Sequence, residues 1–195
     1  MSAEAHETPP STMAEEKQQG WSVADLLTVA VAFGLAAASF LHFGVTARAF
    51  VSAIFLVVLV VLSAIDIQQR ILPNRIVLPA TALILVLQIA FFPEQTVEWI
   101  VASLGAAAFF GLAYVTYRAG LGLGDVKLAL LLGAGLGKGV VLGIFVGMFA
   151  AGMAGLLIVA REGLSARKKA IPLGPFLAFG AVISLFFGGS DFVSF

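Results

Sequence analysis

The sequence predicts an all-α fold, a polytopic membrane helix bundle with about six to seven transmembrane helices. Two observations predict it. Hydrophobic residues make up 61% of the 195 residues and charged residues only 11%, against about 25% charged in a soluble domain. The apolar residues also gather in long runs, near the stretch of about 20 that crosses a bilayer. The mean hydropathy of +1.07 agrees. A soluble fold has nowhere to expose this much apolar surface. Membrane lipid is therefore the expected surroundings, and cytosolic enzymes and nucleic-acid binders are excluded. Eleven basic and eleven acidic residues cancel, so no net field steers a partner. The chain has no cysteine, which removes disulfides, thiolate nucleophiles and cysteine-bound zinc.

Residues 1–20 are polar and acidic, with Glu4, Glu7, Glu15, Glu16 and Pro9-Pro10. They read as a disordered tail, because they have nothing to bury. Residues 21–195 read as a single membrane-embedded domain. The tail carries only Lys17 as a basic residue, too little for a signal peptide's positive start. Ala47-Arg48-Ala49 has the shape of a cleavage site, but the apolar run before it is longer than a signal sequence uses. A retained helix is expected there.

Seven spans follow, at 22–43, 48–65, 76–92, 97–117, 125–137, 139–160 and 171–189. Thirteen residues at 125–137 are too few to cross about 30 Å. Either that helix starts below the surface, or 125–160 is a re-entrant pair beside a wet cavity. The glycine-rich stretch from Arg118 to Gly124 suits the mouth of such a cavity. Gly143, Gly147, Ala151 and Gly155 recur every fourth residue and form a small-residue ridge for close helix packing. With the N-terminus cytoplasmic, nine of the eleven basic residues fall inside and only Arg48 and Lys138 outside. This positive-inside bias puts the 66–75, 118–125 and 161–170 segments on the cytoplasmic side.

Polar residues in such a chain are few enough to weigh singly. Asp25 sits near the start of the first span, where an acid favours a helix N-terminus. His42 lies near an outer end with no partner motif and reads as an interfacial residue. Asp66 ends the second span, with Arg70 four residues on as an available partner and Pro73 as a helix breaker. Asp125 follows Gly120, Gly122 and Gly124, and one reading makes it only the N-cap of the fifth helix.

Together the two acids suggest more, since both fall at helix ends on the predicted cytoplasmic face. Two close carboxylates share a proton. One then acts as base on a water while the other donates a hydrogen bond to a carbonyl. Glycines beside them let an extended backbone approach. Buried acids equally mark ion pathways. A non-catalytic membrane component or small proton or cation transporter, with Asp66 and Asp125 as its ion site, is therefore the alternative. Other protease chemistries lack their motifs: no H-E-x-x-H or G-x-S-x-G occurs. Gly137-Lys138 fails as a phosphate loop, because Gly139 stands where a Ser or Thr is needed. No metal or cofactor is expected.

Three segments in order resemble the type IV prepilin peptidases. Asp66 through Arg70 to Leu72-Pro73-Asn74 is similar to the family's first-aspartate segment. Gly122-Leu123-Gly124-Asp125-Val126-Lys127-Leu128 is similar to its G-x-G-D-x-K-L signature. Ile171-Pro172-Leu173-Gly174-Pro175 through Gly180 is similar to its proline-glycine segment. The resemblance covers roughly residues 50–185. It implies that Asp66 and Asp125 are catalytic aspartates that cleave the leader of prepilin-like proteins at the cytoplasmic membrane face of a prokaryote, without a metal. It also implies that Gly122, Gly124, Lys127, Pro172, Gly174 and Pro175 line the site. Many members carry a cysteine-containing insertion linked to N-methylation. Its absence implies a peptidase-only form, like the Flp/Tad-type or archaeal preflagellin enzymes. The P-A-L signature of presenilin-type proteases is missing.

Overall fold

In the computed structural model, residues 22–116, 121–163 and 172–188 are described. The expected tail at 1–20, most of the 118–124 stretch's beginning and most of the 161–170 segment lie outside them. Seven α-helices run in order: α1 Val23–Phe43, α2 Ala47–Gln69, α3 Asn74–Phe91, α4 Thr96–Thr116, α5 Leu123–Leu136, α6 Val140–Glu162 and α7 Gly174–Phe187. Short 3₁₀ turns at Pro93–Gln95 and Gly137–Gly139 join α3 to α4 and α5 to α6. No strand occurs among the described residues. The chain is an all-α integral membrane protein. α1, α2, α3 and the Pro93–Thr116 segment each have the length and apolarity to cross a bilayer, as does the interrupted stretch 123–162.

Local chemistry sets the helix ends. Ser22 caps α1 through its hydroxyl, and the Asp25 carboxylate accepts from the Ser22 N–H at 3.0 Å, the expected use of an acid there. Thr46 caps α2 by accepting from the Ala49 N–H. α2 ends before Pro73, contrary to the simple breaker reading. Arg70 turns left-handed, at φ 53°, and its N–H closes on the Asp66 carbonyl. Pro73 instead sits at the N-cap of α3, where its missing N–H costs nothing.

α5 is the central helix. Leu128, Ala129, Leu131, Leu132 and Ala134 are almost wholly buried, and they share one core with Phe55, Leu59, Val77, Ile84, Phe110 and Leu177. Polar neighbours are scarce, so packing holds this core. Small residues permit the closest approaches. A Cβ at Gly133 would strike the α4 backbone at Ser103, and one at Gly180 would strike the Gly143 carbonyl. The Gly143 and Gly147 half of the predicted ridge is buried against α7, whereas Ala151 and Gly155 beyond it are only half-buried.

α5 and α7 are short. At 1.5 Å per residue each measures about 21 Å, and α6 about 34 Å. An α6 of that length can cross a bilayer by itself, unlike one limb of a re-entrant pair. The start of α4 meets the end of α5, since Glu98 and Trp99 lie against Gly137. The start of α6 meets the end of α7, where Ser184 donates to the Gly139 carbonyl at 2.6 Å. Both short helices therefore begin at the same end of the bundle, the end that holds Asp66.

Candidate active site

Asp66 lies one turn before the end of α2 and is only 6% exposed. A buried carboxylate needs donors. Its Oδ2 accepts the Gly174 N–H at 2.9 Å, across 108 residues of sequence. Gly174 is the first residue of α7, so the positive end of that helix points at the acid. The position requires glycine on steric grounds: a Cβ there would stand 2.7 Å from the Asp66 Oδ2. Pro175 follows at the first turn, where its fixed φ suits a helix start, and Pro172 stands just outside it, half-buried.

Asp125 is the third residue of α5. The cap reading needs correcting in detail. Gly122 occupies the N-cap, and the Asp125 Oδ2 reaches back to accept the Gly122 N–H at 2.9 Å. This bond uses one carboxylate oxygen. Gly124, next to Asp125 in sequence, packs on Leu72 in the α2–α3 connection, so Asp125 stands at the same end of the bundle as Asp66 although the two acids come from α5 and α2. The predicted Asp66–Arg70 ion pair is not among the described contacts; Arg70 instead serves as the helix terminator.

Two of the remaining predicted residues tie the start of α5 to the α2–α3 connection. Gly124 packs on Leu72, with a built Cβ 3.1 Å from the leucine's Cβ. Leu72 thereby ties the α2–α3 connection to the start of α5. Lys127 donates a short hydrogen bond to the Asn74 Oδ1, a second tie between the same two segments. Asn74 and Leu72 were legible only as parts of the first-aspartate segment, not as contacts, because the partners are distant in sequence. Gly122 is exposed and leaves open access beside Asp125. The described residues contain no group of three or more His, Asp or Glu that could hold a metal ion.

The other polar residues lie elsewhere. Asp25 is exposed at the start of α1, and His42 is exposed with edge-on contacts to Phe43 and Phe186. Lys138 pairs with Glu98 at 3.2 Å, so the failed phosphate-loop lysine has a structural use. A cavity of about 580 Å³ and a larger apolar groove between α4 and α6 are lined by neither Asp66 nor Asp125.

Fold and site define a class: a membrane-embedded helix bundle with two carboxylates at the end where two short helices start. Residues 53–160, more than half of the chain, match the model of the type IV leader peptidase family, and the chain belongs to that family. Relatives named prepilin leader peptidase/N-methyltransferase are similar to it. The Bacillus subtilis protein is 28% identical over 160 residues, covering 80% of this chain and 63% of its own length. The Xanthomonas campestris pv. campestris protein is 31% identical over 170 residues, covering 82% and 57%. The Pseudomonas putida protein is 33% identical over 152 residues, covering 70% and 49%. The chain thus spans about half to three-fifths of the length of these relatives. No solved structure matches it.

Proposed function

We propose that this chain is an aspartic endopeptidase that cleaves the leader of a prepilin-like protein at the cytoplasmic face of the inner membrane of a prokaryote. The observation that carries the reading is that Asp66, held by the Gly174 amide at the start of α7, and Asp125, at the start of α5, lie at one end of the bundle. In the proposed step, one carboxylate is ionised and takes a proton from a water. The water oxygen attacks the scissile carbonyl carbon, while the other, protonated carboxyl donates to the carbonyl oxygen. Collapse of the tetrahedral intermediate breaks the C–N bond, and the carboxyl that took the water's proton passes it to the leaving amine. Neither a thiol nor a metal is needed, in keeping with a chain that has no cysteine. Lack of that residue also supports cleavage rather than methylation as the activity. The exposed Gly122 offers an extended substrate backbone room beside Asp125. The proposed inward orientation rests on the distribution of basic residues.

The test is co-incubation of the purified protein with a prepilin-like substrate, read by a gel shift. Cleavage should proceed in chelator and in thiol-blocking reagent. Loss in chelator that zinc restores would refute the two-carboxylate mechanism.

A further inference from the structure

Asp66 and Asp125 belong to helices that meet at the other end of the bundle. α2 touches α5 where Phe55 lies against Gly135, about 16 Å along α2 from Asp66. At the acids' own end, α5 is joined to α2 through the residues that lead from α2 into α3. Leu72, 7% exposed, packs on Gly124. Asn74, the first residue of α3, accepts a hydrogen bond at its Oδ1 from the Lys127 ammonium. Gly124 and Lys127 are three residues apart and so share one face of α5. Asp125 lies between them in the chain.

The two contacts differ in what they can fix. A leucine on a glycine limits how closely the segments approach, but apolar contact has no direction of its own. A hydrogen bond from a cation has both a direction and a preferred length. Asn74 and Lys127 also forgo their local uses to make it. Asparagine is a residue that caps helix starts, yet no side chain caps α3. Lys127 stands one turn into α5, close to the positive end of the helix dipole, where a cation gains nothing. Neither residue suits its own helix, and both are accounted for by a bond that spans 53 residues of sequence. Local rules are broken in this way where a site requires it. Asn74 is exposed and Lys127 only half-buried, so the bond adds little to overall stability.

We propose that Asn74 is a positioning residue for the peptidase. By holding Lys127 it fixes the start of α5, and with it Asp125, relative to the end of α2 that carries Asp66. It acts through Lys127 and not on the substrate. The inference rests on the reading of Asp66 and Asp125 as one catalytic pair.

Asn74→Leu keeps the side chain's size and removes the acceptor. Assayed as the full-length protein on a prepilin-like substrate, it should lower kcat about tenfold or more, because small misplacements of reacting groups are costly. KM and the melting temperature should stay near the parent's, as for a loss felt only in the transition state. Lys127→Met should lose as much, and the double variant no more than either, since they are two halves of one contact. Asn74→Asp, which restores an acceptor oxygen, should recover most of the rate. An Asn74→Leu protein with the parent's kcat, a loss confined to KM, a loss matched by a lowered melting temperature, losses that multiply in the double variant, or an Asn74→Asp protein as slow as Asn74→Leu would each overturn the positioning role. Asp125→Asn, run alongside, separates this from the wider reading. Cleavage by that variant would remove the catalytic pair itself, whereas an inactive Asp125→Asn beside a fully active Asn74→Leu would remove only the role of Asn74.

Discussion

The two ends of this bundle are built from the same kinds of residue to opposite effect. At one end two short helices begin, a glycine amide is spent on the buried Asp66, and the chain connections are tied by Leu72, Asn74 and Lys127. At the other end glycines serve close packing, and the one described ion pair joins Glu98 to Lys138. The difference teaches that glycine has two meanings in one membrane chain. At Gly174 the missing Cβ makes room for the buried Asp66 carboxylate. At Gly180 and Gly133 it makes room for another backbone.

The sharpest way to break the comparison is to ask whether the two ends face opposite sides of the membrane. Cysteine introduced at Gln69, beside the acids, should label only from the cytoplasm. Cysteine at Glu94, beyond α3, should label only from outside. Both positions are exposed, and the parent's lack of cysteine keeps the background clean. Labelling of both from one side would undo the assignment of ends.

Next in size is Gly174→Ala. The added methyl displaces the Asp66 carboxylate, and a shift near 1 Å at a reacting group costs about a hundredfold in rate. Cleavage should fall by about that factor while thermal stability changes little. Gly105→Ala, which meets open space, is the control and should retain its parent's rate. A Gly174→Ala enzyme of normal activity would show that the amide bond to Asp66 is incidental.

Gly180→Ala should have the reverse profile. Its Cβ falls on the Gly143 carbonyl and close to the Gly147 backbone, so α6 and α7 must separate. Overpacking of this kind costs about 1–3 kcal/mol, seen as a lowered melting temperature, with the activity of the folded fraction kept. A larger loss of activity than of stability would mean that the α6–α7 seam reaches the chemistry.

Much of the fold was legible because apolar runs of bilayer length have few alternatives. All seven helices fall within a few residues of the predicted spans, and the shortness of α5 was readable from the thirteen residues at 125–137. Asp66 and Asp125 stood out because acids near membrane depth are rare. What could not be read were the long-range ties. The Gly174–Asp66 bond joins residues 108 apart, and no periodicity links α2 to the start of α7. Asp125 as an N3 partner rather than an N-cap was hidden for a local reason. Gly122 has no side chain to announce a cap, so the acid three residues later supplies the carboxylate. The cavity lined by Arg48 and Trp99 was invisible because all seven helices and the Gly137–Gly139 turn contribute to its lining.

The central claim is that Asp66 and Asp125 act as one unit. Asp66→Asn, Asp125→Asn and the double variant, purified and assayed on a prepilin-like substrate, test it most directly. An amide can neither accept the water's proton nor share one with its partner. Each single variant should lose about a thousandfold or more in cleavage rate, and the double variant should be no worse than either, as for groups that work together. Substantial cleavage by either single variant, or losses that multiply in the double, would contradict a shared dyad.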